Sequence, residues 1–238
     1  MPRSRSNFFF IWAIIVLVAV FLGFAPTFYL RPLFGTVDRV TGGGLPFYLV
    51  IHGLAMTAWY AIFVAQTYLV RSRNFVLHRN LGITGLVVAG LLIISGFYTM
   101  IQFSGRSPEG PVTAIMTGNT IGFIVFVTLL TIGVLNRKRP EIHKRAMLIG
   151  SIAIIGPAFT TNRMFGEMLH FIIPDAVPLT FAFKLIVLGS LVWFDLKTHK
   201  RVLTITMVCA AVTIAGFILA RTLRGSELST WYYNLLAI

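Results

Sequence analysis

Residues 1–24, MPRSRSNFFFIWAIIVLVAVFLGF, decide the fold. A basic head precedes an apolar body. A secretory leader has an apolar core of about 7–15 residues and a small-residue cleavage site. Here the apolar run covers 8–30 and leads into APTFYLRP, which offers no such site. The stretch reads as a retained first membrane helix.

Six further runs reach the ~20 apolar residues that a bilayer crossing needs. They cover 46–70, 81–103, 114–136, 146–172, 178–196 and 202–221. Of the 238 residues, 57% are hydrophobic and 11% charged. Soluble domains carry about 25% charged residues. The sequence therefore predicts an all-α integral membrane protein, a single bundle of seven transmembrane helices over 1–238. An outer interfacial tail, 222–238, carries Trp231, Tyr232 and Tyr233, residues of the kind that gather at the membrane–water boundary.

Net charge +13 raises the question of a nucleic-acid partner, and its distribution argues against one. With the N-terminus cytoplasmic, one side holds Arg3, Arg5, Arg71, Arg73, Arg79, Arg137, Lys138, Arg139, Lys144, Arg145, Lys197, Lys200 and Arg201. The other holds Arg31, Arg39, Arg106, Arg221 and Arg224. Thirteen against five is a topology signal, because short basic loops stay cytoplasmic. It predicts the N-terminus inside and the C-terminus outside, with basic loops facing anionic lipid head groups. His78, Arg79, His143 and Lys144 are the head-group candidates. The single Cys209 excludes an intrachain disulfide and a multi-thiolate metal site.

The inner loops RSRNFVLHRN and NRKRPEIHKR resemble each other and hint at a duplicated hairpin. The polar stretch TTNRMFGEMLHF, residues 160–171, lies inside the fifth run. Charges at the bilayer centre cost about 2.5–3.5 kcal/mol on insertion scales, so they face the bundle interior. At about 100° per residue, Arg163, Glu167 and His170 fall on one narrow face. Arg163 and Glu167 are i,i+4 neighbours that can pair. His52 and Lys184 each lie about 9 Å below the outer ends of their runs, at 1.5 Å per residue. With Glu167 and His170 they form one outer-leaflet layer. His52, Met56, Trp59, Phe63 and Gln66 make one stripe on the second run, which reads as a pocket wall or as a packing seam.

Three chemistries suit a site of His52, Trp59, Arg163, Glu167, His170 and Lys184. His52, Glu167 and His170 could hold one metal ion, although Arg163 and Lys184 oppose a cation. His52 and His170 could ligate a single haem. The cationic groups beside an aromatic wall could take a quinone, a lipid head group or a small carboxylate. A buried two-haem stack fits badly, because His143 and His170 are about 40 Å apart along one helix. A retinal protein would carry a lysine in the last helix, and none is there.

IHGLAMTAWYAIFVAQTYLVRSRNFVLHRNLG and RPEIHKRAMLIGSIAIIGPAFTTNRMF together resemble a family of bacterial multi-pass membrane proteins of undefined function. Its pattern is a helix histidine, a His-Arg-x-Leu-Gly loop and a later His-(Arg/Lys)-x-x-Met loop with a downstream arginine. The matching positions are His52, Gln66, His78, Arg79, His143, Lys144 and Arg163. The second basic motif departs from the usual His-Arg and reads His-Lys-Arg. The resemblance implies a bacterial inner membrane. Function is expected to be an outer-leaflet polar site binding a quinone-like, haem or anionic ligand. The alternatives are an accessory subunit of a respiratory-type membrane complex, or a small-solute transporter. Whether the chain is an enzyme stays open.

Overall fold

The computed structural model describes residues 7–35, 43–104, 111–159, 164 and 176–236. The described residues are overwhelmingly helical, with no strand among them. Six helices are long and apolar enough to cross a membrane: Phe8–Tyr29, Phe47–Arg71, Phe75–Phe103, Met116–Leu135, Leu179–His199 and Thr204–Thr222. The chain falls into two compact units. The first runs up to Thr99; the second is built, Met164 apart, from Met100 onward.

In the first unit, α1 (Phe8–Phe24) passes into a π-helical turn, Ala25–Tyr29. Pro26 has no N–H to give the preceding turn, and the ladder widens so that Leu30 N–H reaches Ala25 O at 2.8 Å. A short helix α2 (Arg31–Phe34) follows and ends at left-handed Gly35. Helix α3 (Phe47–Arg71) runs antiparallel to α1. The ring of Phe10 meets Tyr68 and the guanidinium of Arg71 at one end. At the other end Tyr29 hydroxyl bonds Thr57 Oγ1 at 2.8 Å. Phe28 presses on Gly53, where a Cβ would lie 2.4 Å from the ring.

Helix α4 spans Phe75–Ser104. It starts six residues before the expected 81–103, because the Asn74 side chain accepts the Leu77 N–H at 3.1 Å and opens the helix there. His78 and Arg79 therefore stand in its first turns and not in a loop. Arg73, at φ 62, makes the tight reversal before it.

The second unit contains α5 (Pro111–Leu135), α6 (Pro140–Ala153), a 3-10 turn (Gly156–Phe159), α7 (Ala176–His199), α8 (Thr204–Thr222) and α9 (Glu227–Leu236). Glycines let α5 and α6 approach closely. A Cβ on Gly133 would lie 3.0 Å from Met147 Sδ, and one on Gly122 would lie 3.1 Å from the Ala153 carbonyl. Small residues at such contacts let membrane helices pack by their backbones. Tyr232 hydroxyl bonds Thr120 Oγ1 at 2.9 Å and ties α9 to α5. Leu228, Trp231 and Leu235 share the exposed face of α9.

The expected helix 146–172 is corrected in this unit. It begins at Pro140, since proline suits the first helical position, so His143, Lys144 and Arg145 are helical. It ends at Ala153. Pro157 cannot donate an N–H to the Ala153 carbonyl four residues back, and the chain tightens into the 3-10 turn. The expected fifth helix is therefore interrupted at 154–159. Residues 160–163 and 165–175 lie outside the described residues.

Candidate functional site

Two polar centres emerge, one in each unit. In the first, α3 and α4 face each other through His52 and Ser95, whose Nδ1 and Oγ are 3.1 Å apart. Ser95 hydroxyl also reaches Leu92 O at 3.2 Å. Farther along, a Cβ on Gly82 would lie 3.5 Å from Gln66 Nε2. The stripe expected on α3 is thus inward. Met56, Trp59 and Phe63 are buried between half-buried His52 and Gln66.

Beside this pair a groove of about 460 Å³ opens, lined by Phe47, Tyr48, Ile51, Leu91, Ile94, Ser95 and Tyr98. The rings of Tyr48 and Tyr98 meet edge to face at 5.7 Å. The lining is apolar apart from the Ser95 hydroxyl and the two phenols. Ligand sites typically occupy about 300–1,000 Å³ with few polar groups. Ser95 is shared: it forms part of the groove wall and it bonds His52. None of the groove residues except Tyr48 and Ser95 can hydrogen-bond through a side chain besides Tyr98, so any ligand head is oriented by these three.

The second centre lies where α6 begins, α7 ends and α8 begins. Arg145 and Asp195 are both fully buried and form an ion pair through Nη2 and Oδ1. Arg145 Nε donates to the same oxygen at 3.1 Å and to Thr206 Oγ1 at 3.2 Å. Asp195 Oδ2 accepts from Thr206 hydroxyl at 2.5 Å and from Leu203 N–H at 3.0 Å. Helix α8 has Leu203 at its N-cap position, which cannot cap it. Asp195 caps it instead, from the preceding helix.

Glu141 joins this centre from the rim, 42% exposed, accepting from Arg145 Nη1 at 2.5 Å and Lys144 Nζ at 2.7 Å. His199 Nε2 lies 3.4 Å from the same carboxylate. Burial pulls the Glu141 carboxyl upward, but the Lys144 and Arg145 bonds and charges outweigh it and hold the group below its ordinary range. Burial lowers the Lys144 ammonium despite its bond to Glu141. Every oxygen of Asp195 is engaged, and the centre acts as a lock joining three helix ends.

Sequence reasoning missed this lock. The charge distribution places Arg145 among the cytoplasmic basic residues, whereas Arg145 and Asp195 are both fully buried. The clue available was an isolated aspartate within VWFDL, inside an apolar run.

The remaining expected residues are placed as follows. Lys184, half-buried on α7, donates to Ala153 O at 3.1 Å. That is the carbonyl left without a donor by Pro157. His143 Nδ1 donates to Gly133 O at 2.9 Å, clasping α6 to α5, while Lys144 is held by Glu141. His78 is half-buried and Arg79 exposed. Arg163, Glu167 and His170 lie outside the described residues. His52 belongs to the first unit and Lys184 to the second. No family model, curated protein or solved structure matches the chain.

Proposed function

We propose that this chain is a bacterial inner-membrane protein that binds a quinone-like lipid, with its ring head beside Ser95 and His52 and its tail in the α3–α4 groove. The observation that carries the reading is the shared serine. It is a groove-lining hydroxyl wired to a histidine, between two aromatic residues, in a helix pair whose outer faces are apolar. Trp59 backs the same stripe. Arg163, Glu167, His170 and Lys184 remain the second set of polar groups in the proposal. Membership of the bacterial family suggested by the His-Arg-x-Leu-Gly pattern, and head-group contacts at His78, Arg79, His143 and Lys144, belong to it as well.

The topology proposed is seven crossings with the N-terminus inside. Helices α6 and α7 pair antiparallel, from Glu141 with His199 to Ala153 with Lys184. That pairing supports a fifth crossing made by the broken α6 segment and the residues after it. Irregular backbone at membrane depth is tolerated where it is buried in protein, and Ile154, Ile155 and Ala158 are buried.

The test is purification in mild detergent, solvent extraction and quinone quantification, beside an absorption spectrum and metal analysis. Near-stoichiometric quinone in the native protein, lost in an Ile94→Trp variant that fills the groove, is the expected result. A haem band dependent on His52, or stoichiometric respiratory subunits without any lipid ligand, would replace this reading with one of its rivals.

A further inference from the structure

Three hydroxyls line the α3–α4 groove, those of Tyr48, Ser95 and Tyr98. They are not equally available to a ligand, and the inference drawn from that difference rests on the quinone-like reading above. Ser95 has one hydroxyl proton and two contacts within the protein, His52 Nδ1 at 3.1 Å and Leu92 O at 3.2 Å. A backbone carbonyl only accepts. With the imidazole proton on Nδ1, Ser95 accepts from His52 and donates to Leu92 O. With Nδ1 bare, the serine proton faces two protein acceptors. In either tautomer that proton stays inside the protein, and Ser95 has none to give a ligand.

Tyr98 differs. It follows Ser95 by three residues, which puts the two on one face of α4, and both line the groove. Its ring meets Tyr48 edge to face at 5.7 Å. Among the described residues the Tyr98 hydroxyl takes no hydrogen bond, whereas Tyr48 makes a further contact of its own. Leu91 and Ile94, the other α4 residues of the wall, are apolar. A polar group held away from water gains from a partner, and a phenol has a proton to donate. No charged residue is among the described lining, so a charged head would find no counter-charge in the wall.

We propose that Tyr98 is the specificity-determining donor of the groove, and that the group it recognises is a carbonyl oxygen on a neutral ring head. Ser95, one turn along the helix, flanks the ring without donating to it. No covalent bond changes on binding.

The experiment uses the full chain in nanodiscs, with affinities taken relative to the lipid phase. The two probes share one outline: a decyl-substituted benzoquinone, and the decyl-substituted xylene in which methyl groups stand in for the ring oxygens. The native protein should bind the quinone about tenfold more tightly than the xylene, the scale of one well-placed hydrogen bond. Tyr98→Phe keeps the ring and removes the hydroxyl. It should bring the quinone down to the affinity of the xylene and leave the xylene unchanged. An unchanged quinone affinity in Tyr98→Phe, or a loss in Tyr48→Phe in its place, would overturn the assignment and leave the groove reading standing. An equal loss of both probes in Tyr98→Phe would do the same, because ring packing would then explain it. Equal affinities of the two probes for the native protein would overturn it whether or not the variant folds. No binding of either probe to the native protein would overturn both readings.

Discussion

Removing Arg145 should cost this protein more than removing its partner, and removing both should cost least. Arg145→Met leaves a fully buried Asp195 carboxylate with two neutral donors, Leu203 N–H and Thr206 hydroxyl. Stranding a buried charge costs about 3–5 kcal/mol. For a chain of this size each kcal/mol moves the midpoint by about 2–4 °C. The expected fall is about 6–20 °C. Asp195→Leu leaves Arg145 with Glu141, both its carboxylate and its backbone carbonyl. The loss there is of charge-assisted hydrogen bonds, about 2–3 kcal/mol. The double variant removes both charges and forfeits chiefly the cap of α8, about 1 kcal/mol. Thermal unfolding in one detergent, followed by tryptophan fluorescence at neutral pH, ranks the three. An Arg145→Met protein within about 2 °C of native, or a double variant less stable than Arg145→Met, would refute the lock.

Three other outcomes follow from the geometry. Lys184→Met should lower stability by about 1–3 kcal/mol, the cost of an unpaired buried carbonyl; adding Pro157→Ala restores an N–H for Ala153 O and should recover much of the loss in the same melting assay. Gly53→Ala should destabilise by about 1–3 kcal/mol through overpacking against Phe28, and Phe28→Ala in the same chain should relieve it; an unchanged melting point for Gly53→Ala would disprove the close contact. Because the folded Glu141 carboxyl is held below its ordinary range, its contribution is present above that range and fades as pH falls through the lowered value. Melting curves from pH 7 down to pH 3 should therefore converge for native and Glu141→Gln proteins, the native one being the more stable at the upper end.

Much of the fold was legible because a bilayer forces backbone polar groups to be satisfied within helices. The apolar runs over 46–70, 178–196 and 202–221 sit within three residues of the helices found at both ends. Helix starts were harder. His78 and Arg79 looked like loop because charges there obscure the helical continuation, yet Asn74 is a helix-opening residue. The break after Ala153 was written in the sequence as Gly156-Pro157, and length alone argued for one helix over 146–172. His52 and its inward stripe could be found from spacing. Its partner Ser95 could not, since serine is common in membrane helices and register between α3 and α4 is a tertiary matter. The Arg145–Asp195 pair spans fifty residues of chain, and no local pattern joins the two.

That separation also orders events during synthesis. At about 5–20 residues per second, the ribosome completes Arg145 roughly 3–10 s before Asp195. During the interval the guanidinium has a counter-charge only one helical turn away, Glu141, on its own helix and at the rim. Within α6 alone, Glu141 is therefore the carboxylate that can offset the Arg145 charge. Burial of α6 becomes favourable when the α7–α8 hairpin arrives with the second carboxylate. In sequence Glu141 is the acid one helical turn from Arg145, and in the folded cluster the same carboxylate is its outer contact.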